Sequence, residues 1–208
     1  MEDRKQYILK NVGSLYLKHG IRSVTMDDVA SKFGISKKTL YQYFNDKADL
    51  ISQVIDFYIE RTDFAIYNQS GGNAIDRFFV LRTHVLLMLK YIHNNIEYDL
   101  KKLYPEMYNR VHKQKREKIF NSTIQNVTEG IAAGLYRADL DIVFIAKLQV
   151  GRMLLILNPE HGIFTETELA NIDLFDKMVE NYMYSICTEK GIKYYKKQLN
   201  KIKNEVEN

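Results

Sequence analysis

Proline occurs only twice in the 208 residues, at Pro105 and Pro159, and this scarcity sets the widest bound on the fold. Proline breaks or kinks a helix interior, so a chain almost free of it can run in long uninterrupted helices. Hydrophobic spacing agrees. Over residues 2–19, Ile8, Val12, Leu15 and Tyr16 form one stripe while Arg4, Lys5, Lys10 and Lys18 fall largely outside it, and Gly20 ends the helix. A connector helix is expected over about 47–68, then a loop at Gln69-Ser70-Gly71-Gly72-Asn73. Residues 74–94 are apolar on more than one face and should be buried on several sides. A short helix at Ile96–Leu103 precedes a long one that Pro105 opens and Gly134 closes. Asp141 caps Ile142–Leu157, which is apolar nearly all round and therefore needs a core and a second covering surface. Asn158-Pro159-Glu160-His161-Gly162 breaks the chain, and Thr165 and Glu168 form a capping box that starts a helical region running to about Glu189. Gly191 is expected to cap that region before a lysine-rich terminal helix. The fold class is all-α, an N-terminal three-helix domain on a larger C-terminal helical domain.

One stretch, Thr25 to Lys47, carries chemistry. Thr25 sits at an N-cap position, and Asp27 and Asp28 complement the positive end of a helix over Met26–Phe33. Gly34 supplies the C-cap, Ile35 plugs the corner, and Ser36 caps a second helix expected over Lys37–Tyr43. Two helices joined by so short a turn make a helix-turn-helix. Leu40 and Phe44, four residues apart, share a face and with Val29, Ala30, Phe33 and Ile35 make a small core. At about 100° per residue, Lys38 and Gln42 then point away from that core, with Thr39 and Tyr41 on the flanks and Lys37 and Tyr43 lower down. Lys and Gln read base edges, a Thr methyl touches a thymine methyl, and Tyr and Lys anchor phosphates. Lys47 falls in the first turn of the next helix, where free N–H groups help it grip a phosphate. The expected DNA contacts are thus Thr25, Lys37, Tyr43 and Lys47 to phosphates and Lys38, Thr39, Tyr41 and Gln42 nearest the bases, with Ser36 at the cap between the helices.

Charge supports this placement. Net charge is +4 overall, with +3 in residues 1–50, −2 in 51–190 and +3 in 191–208. The first excess suits a phosphate-facing surface; the last suits a solvated helix face or frayed tail. The single cysteine, Cys187, can form no intrachain disulfide, so a reducing compartment is expected. No secretion signal opens the chain, and Ile142–Leu157, the most apolar run, is short for a bilayer and contains Lys147 and Arg152, so a cytoplasmic protein without membrane contact is expected.

The runs Thr-Met-Asp-Asp-Val-Ala, Phe-Gly-Ile-Ser and Thr-Leu-Tyr-Gln-Tyr-Phe-Asn-Asp-Lys-Ala-Asp-Leu resemble the DNA-binding domain of TetR-family transcriptional regulators. Ile8-Leu9, Leu15-Tyr16 and Gly20 match the family's first helix, and Gly134-Leu135-Tyr136-Arg137-Ala138-Asp139-Leu140-Asp141 matches a later segment. Lys38 departs from the pattern: many members carry a small residue there, and the lysine adds a charge to the reading face. The resemblance implies a helix-turn-helix domain over residues 1–47 and a ligand-binding and dimerisation domain over 48–208. It further implies a homodimer through helices at about 142–157 and 171–189, double-stranded DNA as partner, and a small-molecule effector that changes the spacing of the two heads. Two-fold symmetry then predicts a near-palindromic site with half-sites about 34–36 Å, or a multiple of that, apart.

Candidate effector contacts are polar or polarisable groups set in apolar helices: His84, Met88, Tyr91, Tyr108, His112, Gln149, Arg152 and Met153. Arg152 favours an anionic or amphiphilic ligand. No cofactor is expected. The five histidines show no metal-ligand spacing, and neither a Gly-rich phosphate loop nor a nucleophile elbow is present, which argues against an enzyme. The remaining alternative is a helical dimer that binds small molecules or proteins without reading DNA; it leaves the Lys38–Tyr43 face unexplained. Salt separates the two, because phosphate binding weakens steeply with ionic strength.

Overall fold

The structure, a computed structural model, describes residues 2–61, 71–89, 96–156 and 158–206. Among them the regular elements are helices: α1 Glu2–His19, α2 Met26–Lys32, α3 Lys37–Leu40, α4 Lys47–Arg61, α5 Asp76–Leu89, α6 Ile96–Leu103, α7 Pro105–Ala132, α8 Ile142–Gly151, α9 Glu166–Leu169, α10 Ile172–Ile186 and α11 Glu189–Val206. A π-helical turn, Arg152–Ile156, follows α8, and a 3₁₀ turn covers Pro159–His161. The chain divides into two compact units, Met1–Thr62 with Lys90–Lys115 and Asp63–Leu89 with Arg116–Asn208.

In the first unit the stripe read from the sequence is the core. Ile8, Leu9, Val12 and Tyr16 of α1 are buried against Leu50, Ile51 and Val54 of α4 and Val29, Ala30, Leu40 and Phe44 of the helix pair. Each fully buried aliphatic side chain stabilises this small domain by about 1.5–3 kcal/mol. Gly13 matters here: a Cβ on it would lie 2.0 Å from the Tyr58 ring, whose hydroxyl donates to the Lys10 carbonyl at 2.7 Å. Helix α6 adds Leu100 to the same core, and Asp99 Oδ2 accepts the Arg22 N–H at 3.2 Å. Arg110, in the part of α7 that belongs to this unit, donates to Asp56 at 2.8 Å and to Ser52 at 2.8 Å.

The second unit is built around Ile75, Phe78, Val127, Tyr136, Tyr182, Met183 and Ile186. Gly130 lets the Tyr136 ring lie across α7, since a Cβ there would come within 2.0 Å of it, and the Tyr136 hydroxyl donates to Asn126 at 3.1 Å. Tyr136 also pairs with Cys187 in an isolated antiparallel bridge. Arg82 holds Asp176 through two parallel bonds of 2.7 and 2.8 Å, tying α5 to α10. Asp141 caps α8 by accepting the Phe144 N–H at 3.0 Å, as its position predicts.

The helical region that opens at Thr165 resolves into α9 and α10, Asn171 capping α10 on Asp173 at about the residue where the second dimer helix was expected to begin. Two sequence expectations are corrected. Ile142–Leu157 is α-helical only to Gly151 before the π-helical turn; Leu157 lies outside the described residues. Gly191 does not cap the preceding helix. It lies in the first turn of α11, where a Cβ would meet the Leu135 carbonyl oxygen at 2.1 Å, and Thr188 is the capping side chain, accepting the Gly191 N–H.

Candidate nucleic-acid interface

The helix pair α2–α3 is held by short-range polar geometry. Thr25 Oγ1 accepts the Asp28 N–H at 3.1 Å, and Asp28 Oδ2 accepts both the Thr25 N–H at 2.9 Å and the Thr25 hydroxyl at 2.7 Å. This is a capping box with aspartate as its third residue. The hydroxyl and N–H of Thr25 hold the Asp28 carboxyl below its ordinary range, so it is the charged form that caps. Gly34 turns the chain at φ +60, a left-handed conformation that favours glycine, and the Ile35 N–H returns to the Ala30 carbonyl at 3.0 Å. Ser36 Oγ then accepts the Thr39 N–H at 3.0 Å and starts α3.

Helix α3 is shorter than the spacing predicts. It is α-helical over Lys37–Leu40, after which Gln42 and Tyr43 bond three residues back, to the Thr39 and Leu40 carbonyls. Leu40 and Phe44 explain the tightening: both are buried, and closing the turn between them brings Phe44 into the core beneath α2. Three-residue hydrogen bonds advance side chains faster around the axis than α-helical ones, so the bearing of Gln42 differs from the one that uniform α-helix geometry gives.

The nine candidate DNA contacts lie on this one short segment and its flanks, in different states. The Lys38 and Gln42 side chains are exposed and, among the described residues, have no internal hydrogen bond or ion pair; Tyr41 is 44% exposed. Thr39 is half-buried with its hydroxyl 2.8 Å from that of Ser36, and Tyr43 is half-buried with its ring against Phe44. The Thr25 hydroxyl is occupied by the capping box. Lys37 pairs with Asp27 at 2.8 Å. Lys47 donates to the Arg22 carbonyl at 3.1 Å, and partial burial lowers its proton affinity against the opposing pull of Asp99 and Asp28. Sequence reasoning gave Asp27 only a helix-dipole role. Its contact with Lys37 spans ten residues and depends on how α2 and α3 cross.

Residues 13–54, from the middle of α1 to α4, match the family model described as bacterial regulatory proteins, tetR family. A curated relative, the uncharacterized HTH-type transcriptional regulator YerO of Bacillus subtilis (strain 168), is 34% identical over 59 residues; the match spans 28% of this chain and 20% of that protein. A transcriptional regulator of the TetR/AcrR family from Thermobifida fusca YX-ER1 aligns in structure over 87% of this chain and 96% of its own, with 20% identity and a TM-score of 0.59. The segment 13–54 of the chain is thus similar to the DNA-binding domain of the tetR family. A transcriptional regulator from Cytophaga hutchinsonii ATCC 33406 shares the fold at a TM-score of 0.68 and 19% identity, over 88% of this chain and 97% of that one. The matched family and these relatives are described as transcriptional regulators.

The effector candidates do not form one group. Tyr108 and His112 belong to the first unit, with ring centroids 4.2 Å apart and His112 Nε2 2.7 Å from Glu97. His84, Gln149, Arg152 and Met153 belong to the second, His84 Nδ1 lying 2.9 Å from the Val80 carbonyl of its own helix. The Met88 side chain and Tyr91 lie outside the described residues. Arg152 stacks over the Tyr182 ring, 5.6 Å from its centroid, and Nη2 approaches Asn181 at 3.5 Å. Sequence reasoning missed Arg77 and Tyr182. Both are buried; Arg77 pairs with Glu129 through Nη2, while its Nε and Nη1, the Tyr182 hydroxyl and Gln149 Oε1 have no hydrogen-bond partner among the described residues. Burial, with only a partial offset from Arg152, pushes the Tyr182 hydroxyl above its ordinary range. Hydropathy alone could not mark a polar atom without a partner.

Proposed function

We propose that this chain is a sequence-specific DNA-binding transcriptional regulator, with residues 1–47 as its reading head and 48–208 as its sensing and dimerising body. It acts in the cytoplasm as a homodimer on a near-palindromic operator, represses by occluding a promoter, and releases when a small molecule binds the body. The observation that carries the reading is the pairing state of the outer face: Lys38, Tyr41 and Gln42 stand exposed on α3 and the turn that follows it, whose inner side is locked by Leu40 and Phe44. Free donors and acceptors on a rigid short helix are what base edges in a major groove require.

Dimerisation is supported by the apolar side chains that α8 and its π-helical turn leave outward, Val143, Phe144, Leu148 and Leu155. Effector binding is supported by the unpartnered polar atoms of Arg77, Gln149 and Tyr182, because such atoms gain most from a ligand that satisfies them. Such a ligand shifts the population only if it binds the two head spacings unequally.

The test is selection of duplexes from a random pool by the purified protein, followed by affinity against salt, with Tyr41→Ala as control. A near-palindrome bound by one dimer and lost in the variant is the expected result. Failure to enrich any sequence, with weak binding insensitive to the variant, would sink the proposal.

A further inference from the structure

We propose that Asp27 determines specificity by occupying Lys37 in the free protein, so that this lysine serves a phosphate fully only when the duplex is seated in the reading register. The inference rests on the reading of α2 and α3 as a DNA-contacting pair, and adds to it an acid whose task is to weaken binding to the wrong sequences.

Lys37 is the first residue of α3 and Asp27 lies in the first turn of α2. The ammonium is 2.8 Å from Asp27 Oδ1 and 3.0 Å from Oδ2. Thr25 and Asp28 make the cap of α2, which leaves the Asp27 carboxylate free for the lysine. The two side chains are 56% and 66% exposed, so a phosphate can reach the pair with no change of fold. Nearby, Lys38 has no internal partner among the described residues, and Lys47 is tethered to the Arg22 carbonyl. Among the described residues, Lys37 is the one of these three cations held in a direct ion pair with an acid of the helix pair.

Binding to random duplex comes from phosphate contacts and the counterions they release. A lysine already paired with a carboxylate contributes little to that term, and the carboxylate itself meets the negative field of the duplex. The seated complex differs. Once Lys38, Tyr41 and Gln42 engage bases, α3 is fixed, and an ammonium with three N–H groups can keep its contact with Asp27 while donating the third to a phosphate held in register. Asp27 then penalises random sequence more than the operator, and specificity is that difference.

The test compares wild type with Asp27→Asn, both full-length, on the selected operator and on random duplex of equal length across a range of salt. With the substitution, random-duplex affinity should rise about fivefold near 0.15 M monovalent salt, its salt slope steepening by about one. Operator affinity should rise by less than about twofold, so that discrimination falls. Adding Lys37→Gln should return random-duplex affinity to the wild-type level or below, since the gain runs through that ammonium. Equal gains on both duplexes, no gain on either, or a gain that survives Lys37→Gln would overturn the role of Asp27. A wild type that discriminates, beside an Asp27→Asn variant that discriminates equally well, removes this role alone; a wild type with no preferred sequence removes the reading of the helix pair as well.

Discussion

Lys38 and Lys47 illustrate how two cations near one face acquire different tasks. Lys38 projects from α3 with no partner among the described residues, so Lys38→Ala is expected to cost about 1–3 kcal/mol at the preferred operator and to relax base preference there. Lys47 is anchored to the loop before α2, so Lys47→Ala should weaken all sequences alike and lower the salt slope by about one. Competition titrations with operator and random duplex distinguish these; equal losses on both for Lys38→Ala would refute its base-reading role. Their positions on the face were legible from spacing. The partner of Lys47 was not, nor that of the neighbouring Lys37, since the Arg22 carbonyl and Asp27 come near only through the crossing of elements. Gly13 shows the same limit. In an isolated helix Gly13→Ala would stabilise by about 1 kcal/mol, whereas here the new Cβ displaces Tyr58 from the Lys10 carbonyl. We expect a net loss of about 1–3 kcal/mol in thermal or denaturant unfolding, turning into a gain in a Tyr58→Ala background.

At the scale of elements, caps were the most readable features and helix ends the least. Thr25, Asp141 and Thr165 cap as their positions predict, because a cap is a bond between residues three apart and needs no tertiary partner. Thr25→Ala should cost about 1 kcal/mol. The Asp28 carboxyl titrates below its unfolded value, so its contribution is complete above the unfolded value and lost as pH falls through the folded one. Thermal midpoints should therefore drop on acidification through the carboxylate range, and less so for Asp28→Asn; parallel pH profiles for the two proteins would contradict this. Gly191 was misread because a glycine near a helix boundary suggests a cap, whereas here it clears the Leu135 backbone. Gly191→Ala should destabilise by about 1–3 kcal/mol, more than a cap substitution by alanine elsewhere in α11, since the obstructing atom is main chain.

For the molecule as a whole, the outward apolar side chains of α8 set the expectation. Phe144 and Leu155 are 56% and 57% exposed, and Val143 and Leu148 stand beside them. Leaving such a stripe in water is unfavourable at about 25 cal/mol per Å², and in the proposed homodimer a second copy is the cover that two-fold symmetry supplies. Phe144→Asp with Leu148→Asp should yield a monomer in sedimentation or light scattering and weaken operator binding far more than random binding. A variant that stays dimeric would place the subunit contact elsewhere.

The sequence by itself determined the helical class, the turn between α2 and α3, the caps and the identity of the outward face. Each follows from interactions over one to four residues, or from a period that repeats along the chain. Tertiary structure decided which side chains on that face are free and which are already paired. It also decided where α3 tightens, why Gly13, Gly130 and Gly191 must lack a Cβ, and that Arg77 and Tyr182 are buried with polar atoms unmet. These depend on atoms brought together by packing of elements far apart in the chain, and local pattern does not encode them.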